Sequence, residues 1–194
     1  MCETGTAALS ARVKNKSMRH VLSCTIYNFS LITLYTSSTL YHGFFAMKIT
    51  RRIFHSLDKC AIYILIAGTY TPFMMIPFAH KPIWSVYLLS FIWICGLSGI
   101  YVDATMPLWQ YKGRFSLAMY LLMGWASMLA VPDFRVVLPS GATTLLSLGG
   151  LLYTAGVPFF VRNTNLDHSI WHIFVLAGSF AHWLAVYKFI VLLP

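Results

Sequence analysis

Apolar and polar positions along this chain fall into blocks. Six runs of about 20 mostly apolar residues are separated by short polar or basic stretches. Continuous runs of this length predict membrane helices; barrel strands would alternate residue by residue. The first run covers about His20 to His42, apolar through Val21 to Tyr41 with scattered Ser and Thr. A basic loop from Gly43 to Leu57 follows, carrying Lys48, Arg51 and Arg52 together with Phe44, Phe45, Ile53 and Phe54, a mixture suited to a short amphipathic piece on a membrane surface. The second run extends from Asp58 to about Phe78, with a kink expected at Thr71-Pro72. The third runs from Ile83 to Val102, flanked by Trp84, Trp93 and Tyr101 as interfacial anchors. After a loop from Asp103 to Arg114 come a fourth run, Phe115 to Val131, and a turn over Pro132 to Gly141 holding Asp133 and Arg135. The fifth, Ala142 to Val161, carries Gly149, Gly150 and Gly156, small residues that let helices approach closely. The sixth runs from His168 to about Leu193. Residues 1–18 are a polar, basic tail, expected to be mobile. Residues 19–194 are expected to form one transmembrane domain, with no room for a soluble domain between the runs.

Composition agrees. Of 194 residues, 58% are hydrophobic and only 10% charged, against roughly 25% charged in soluble domains, and the mean hydropathy is +0.70. The net charge of +9 sits mainly in the tail and in loops between apolar runs, where it bears on membrane topology and anionic lipids rather than nucleic acid. Cys2, Cys24, Cys60 and Cys95 are too scattered for a disulfide framework or a cysteine zinc site. Met1 to His20 contains no apolar core of a signal peptide.

The chemistry-bearing residues are few and specific. His168 and His172 are four residues apart, on one side of a helix, and can offer two nitrogens to one metal ion. With six crossings, the end of the first helix, the start of the second and the start of the sixth all reach one membrane face. That gathers Ser38, His42, Asp58, His168 and His172. Three imidazoles suit zinc with an open fourth position. Asp58 then orients a ligand imidazole or deprotonates water, and Ser38, four residues before His42, hydrogen-bonds water or a substrate carbonyl. Each residue also has an ordinary explanation. His42 is an interfacial helix end, Asp58 a helix N-cap or first-turn acid, and Ser38 a donor to its own helix backbone. His182 falls about 280° round and about 15 Å deeper than His172, and reads as packing or lining. His20, His55 and His80 are interfacial by position, Asp103 is an outer-shell or loop residue, Asp167 an N-cap, and Glu3 belongs to the tail. No H-E-x-x-H motif supports a zincin protease.

Three blocks carry a family resemblance: Ser37-Ser38-Thr39-Leu40-Tyr41-His42; Leu57-Asp58-Lys59-Cys60-Ala61-Ile62-Tyr63-Ile64-Leu65-Ile66-Ala67-Gly68-Thr69-Tyr70-Thr71-Pro72-Phe73; and His168-Ser169-Ile170-Trp171-His172-Ile173-Phe174-Val175-Leu176-Ala177-Gly178-Ser179. In this order they resemble the haemolysin III branch of the progestin and adipoQ receptor (PAQR) family. The resemblance implies a seven-helix bundle with a zinc ion near its cytoplasmic ends. Its S-x-x-x-H motif falls on Ser38 and His42, its Asp on Asp58, and its H-x-x-x-H on His168 and His172. It implies hormone-type receptors among the relatives and, in the wider superfamily, ceramidase-like amide hydrolases using a three-His zinc. Against that pattern the chain is expected to lack the first helix, as a six-helix variant or a late start.

Three functions follow. The first is a zinc-dependent membrane hydrolase of a lipid amide or related ester, with Asp58 as base and Ser38 assisting. The second is a signalling receptor for a small lipid, braced by structural zinc. The third is a haemolysin-like pore, which the absence of charge from the central third, fourth and fifth runs disfavours. Membrane lipids are the expected partners, and nucleic acid is not.

Overall fold

In the computed structural model, residues 18–43, 48–105, 111–162 and 164–192 are described. They are all helical apart from short turns. Helix α1 is Met18–Gly43 and α2 is Lys48–Met75. Helix α3, Ile83–Thr105, opens with π geometry over Ile83–Leu88. Helix α4, Lys112–Val137, tightens to 3₁₀ geometry over Ala126–Ala130. Helix α5 is Ser140–Arg162, and α6 is Asn165–Val186 with a π turn, Tyr187–Val191, at its end.

The expectation of six transmembrane helices does not hold. Among the described residues, four helices are long and apolar enough to cross a membrane: Ile83–Thr105, Lys112–Val137, Ser140–Arg162 and Leu166–Val191, with mean hydropathies of 1.8, 1.5, 1.6 and 1.6. They make the protein an integral, multi-pass membrane protein. Helices α1 and α2 are long enough but too polar. The buried face of α1 is Ser23, Tyr27, Ser30, Leu34 and Ser37, so its inward positions carry hydroxyls. Each serine hydroxyl donates to a carbonyl of its own helix, three residues back. The serines thus act as small spacers, and a Cβ added at Gly68 of α2 would lie 2.4 Å from the Ser30 hydroxyl oxygen. In α2 the polar load is Lys48, Arg51, Arg52, Asp58 and Lys59 at its head.

Other boundaries shift for similar reasons. The expected loop Gly43 to Leu57 is helical from Lys48 onward, because α2 continues past its apolar part. The expected turn Pro132 to Gly141 shrinks to Leu138 and Pro139. Pro132 lies in the first turn of the segment Val131–Val137, where a missing N–H costs no helix hydrogen bond. The loop from Asp103 to Arg114 begins only after Thr105, and its positions 106–110 lie outside the described residues, as does the tail through residue 17.

Packing pairs α1 with α2 and α5 with α6. On α5 the close approach rests on Gly149, where an added Cβ would lie 2.3 Å from the His182 ring and 3.0 Å from the Gly178 carbonyl oxygen. His182 fills that notch, and its Nε2 lies 3.1 Å from the Leu146 carbonyl oxygen. Between the pairs lies a cavity of about 1050 Å³, walled by α1, α2, α4, α5 and α6.

Candidate metal centre

His42 stands in the last turn of α1 and His168 in the first turn of α6, with His172 one turn further on. The start of α6 is built locally. Thr164 is the N-cap, its hydroxyl oxygen accepting from the Asp167 N–H at 3.1 Å and donating to the Asp167 carboxylate at 2.7 Å. Asp167 is therefore the third residue of the helix in a reciprocal cap, not the N-cap itself. It also pairs with Arg162 at 3.4 Å, tying the end of α5 to the start of α6.

The three Nε2 atoms converge. His42 and His172 are 3.0 Å apart, His168 and His172 3.0 Å, and His42 and His168 3.3 Å. Hydrogen bonding alone cannot satisfy this triangle. Each imidazole Nε2 is either a protonated donor or a lone-pair acceptor. Among three, two must be alike, so at least one edge sets proton against proton or lone pair against lone pair. A cation accepting all three lone pairs removes the conflict. Tetrahedral zinc with Zn–N of about 2.0–2.1 Å spaces its nitrogens about 3.3–3.4 Å apart. The observed edges agree within a few tenths of an ångström, and the donor set fits zinc. His42, His168 and His172 form a cluster capable of holding a metal ion.

Asp58 lies near this cluster. Its helix begins ten residues earlier, so it is neither N-cap nor first-turn acid. The Ser38 side chain and the His42 imidazole are both within interaction reach of its carboxylate. Ser38, Asp58 and His172 all line the cavity, which continues between apolar walls that include Leu65, Ile66, Leu121 and Val175. His182 also lines it, in keeping with its expected role.

Asp103 is 5% exposed, so it does not merely solvate a loop. Its carboxylate accepts from the Tyr63 hydroxyl at 3.1 Å and from the Ser116 hydroxyl at 3.0 and 2.9 Å. The Lys112 ammonium donates to its backbone carbonyl at 3.1 Å. Nearby, the Tyr120 hydroxyl donates to the Lys59 carbonyl at 3.0 Å. Sequence reading missed this network because tyrosine and serine in an apolar run carry no signal of their partners. Of the remaining histidines, His55 meets the Tyr41 ring at a tilt, with centroids 5.2 Å apart, and His80 is exposed at the turn before α3.

Comparison with known proteins bears on the same residues. The family described as Haemolysin-III related matches residues 4–183. The chain belongs to this family. It is 38% identical over 178 residues to the hemolysin-3 homolog of Bacillus subtilis (strain 168), covering 90% of this chain and 80% of that protein. Hemolysin-3 of Bacillus cereus is 36% identical over 167 residues, covering 86% and 74%. The human monocyte to macrophage differentiation factor is 27% identical over 186 residues, covering 89% and 72%. For a haemolysin-III-related chain, the matched span contains the three-histidine cluster, Ser38, Asp58 and nearly all of the helical bundle.

Proposed function

We propose that this haemolysin-III-related protein is a zinc-dependent membrane hydrolase of a lipid amide, of the ceramidase-like kind. The observation that carries the reading is one cavity joining Ser38, Asp58 and His172 at one end to a long apolar interior within the bundle. Its volume of about 1050 Å³ exceeds the upper end of ordinary ligand pockets, roughly 1,000 Å³, and suits an acyl chain with its amide beside the histidines.

His42, His168 and His172 would hold the zinc. Zinc bound there supplies Lewis acidity toward a carbonyl and toward water. The chain's own residues do the remainder. The Asp58 carboxylate takes a proton from the attacking water and passes it to the amine nitrogen as the C–N bond breaks, giving a carboxylic acid and an amine. The Ser38 hydroxyl, within reach of Asp58, would orient that carboxylate. The apolar walls align the chain and keep bulk water away from the reacting carbonyl.

The test is hydrolysis of an N-acyl sphingoid lipid by the purified protein, with metal content measured on the same sample. Asp58→Ala is expected to keep its zinc and lose at least about a hundredfold in turnover. Full turnover in that variant would remove Asp58 as the base. Zinc-loaded wild-type protein without hydrolysis would favour the receptor with structural zinc instead.

A further inference from the structure

The cavity has a second polar end. Along α4, the lining runs from Leu117 to Arg135. At 1.5 Å per residue that is about 27 Å, close to the roughly 30 Å of a bilayer's hydrocarbon core. Along α6 it runs from Trp171 and His172 to His182. At the end remote from the histidines it is bordered by Arg135, in the last turn of α4, and by Thr143, Thr144 and Ser147, in the first turns of α5.

Arg135 is an exposed cation at this end of the cavity. Besides Glu3, the chain has four acids, and each is engaged elsewhere. Asp58 faces Ser38 and His42, Asp103 faces Tyr63 and Ser116, and Asp167 pairs with Arg162. Asp133, two residues before Arg135, is held by Lys81 and by the Trp84 indole N–H at 2.6 Å. Among the described residues, Arg135 makes no ion pair. Arg135 is exposed where it borders the cavity, and a cation in a helix's last turn also complements the helix's negative end. The positive N-terminal end of α5 lies at the same corner, across only Leu138 and Pro139. The Thr143 and Thr144 hydroxyls are spent on the Ser140 carbonyl, at 2.8 and 2.9 Å. The guanidinium is left as the main donor, with five N–H groups in a fork suited to a carboxylate or phosphate.

We infer that this end of the cavity is a binding site for the anionic headgroup of a single-chain lipid, held by Arg135, with the acyl chain lying in the cavity toward the histidines. The inference goes beyond the hydrolase reading, since it requires neither metal nor turnover. An apolar channel ending in an unpaired guanidinium matches an amphiphile with acid at one end. A small free anion would leave the channel empty.

Binding can be read from Trp125 and Trp171, which line the cavity and are quenched by a bromine-labelled acyl chain. Three probes are titrated into the purified full chain: a dibromostearoyl lysophosphatidate, the neutral dibromostearoyl monoacylglycerol, and inorganic phosphate as competitor. The lysophosphatidate is expected to bind about tenfold more tightly than the monoacylglycerol. Arg135→Gln is expected to remove that difference, and Arg135→Lys to keep part of it, both with wild-type metal content and thermal stability. Equal affinities for the two lipids in the wild type would overturn the inference, as would an unchanged preference in a folded Arg135→Gln variant. Displacement of the lysophosphatidate by inorganic phosphate at equal concentration would overturn the lipid assignment. These outcomes are independent of hydrolysis, so a failed hydrolase assay with preserved acidic-lipid preference separates the two readings.

Discussion

Two polar clusters flank the same stretch of α2, and they treat their polar atoms in opposite ways. Around Asp103, donors and acceptors are matched. Tyr63 and Ser116 donate to the carboxylate, and Lys112 donates to the backbone carbonyl. Around His42, His168 and His172, three like nitrogens converge within 3.3 Å, in an arrangement no set of protons can satisfy. The first cluster is closed and braces α2 against α3 and α4. The second is open, a cluster capable of holding a metal ion. Both contain histidine or acid near the end of a helix bundle, so residue type does not separate them. What separates them is whether every lone pair already has a donor.

The widest separation is expected from His172→Ala. Removing one of three nitrogens should lower metal affinity by more than the 10- to 100-fold typical of outer-shell changes, while the Asp103 network keeps the bundle folded. Metal content after dialysis against a weak chelator checks this; full metal retention would mean that the triangle is not the site. The converse is Asp103→Ala. It leaves the buried Tyr63 hydroxyl without its acceptor and takes the carboxylate from Ser116, while the Lys112 bond to the backbone carbonyl stays, and should cost about 2 kcal/mol of stability with metal content unchanged. Denaturant unfolding of the purified protein measures it, and loss of metal alongside stability would show the two clusters to be coupled. The smallest effect is expected from Tyr63→Phe, which removes one donor from a carboxylate that Ser116 still serves. About 1 kcal/mol is expected by the same unfolding measurement, and a cost as large as that of Asp103→Ala would contradict the matched-network picture.

Part of this was legible in the residues alone. The i, i+4 spacing of His168 and His172 placed them on one side of α6, and the Ser38–His42 spacing did the same on α1, because helix geometry is local. The helical class and the membrane setting followed from runs of apolar residues. The span count was not legible in the same way. Ser23, Ser30 and Ser37 look like interruptions of an apolar run until α1 is seen to bury all three, Ser30 against Gly68 of α2. Asp58 looked like a helix start because the apolar pattern begins there, whereas α2 begins at Lys48. Asp103 gave no sign of burial, since its partners come from α2 and α4, 40 and 13 residues away.

By itself, then, the chain determined its helices, its membrane habitat and the residue types able to hold a metal, all of which depend on neighbours within a few turns. Tertiary structure decided which polar groups meet. It closed the triangle of Nε2 atoms between α1 and α6, gave Asp103 the hydroxyls of Tyr63 and Ser116, and set Arg135 in the lining of the same cavity as His172. The physical reason is that burial and hydrogen-bond satisfaction belong to pairs of helices, and no single helix carries the information about its partner's face.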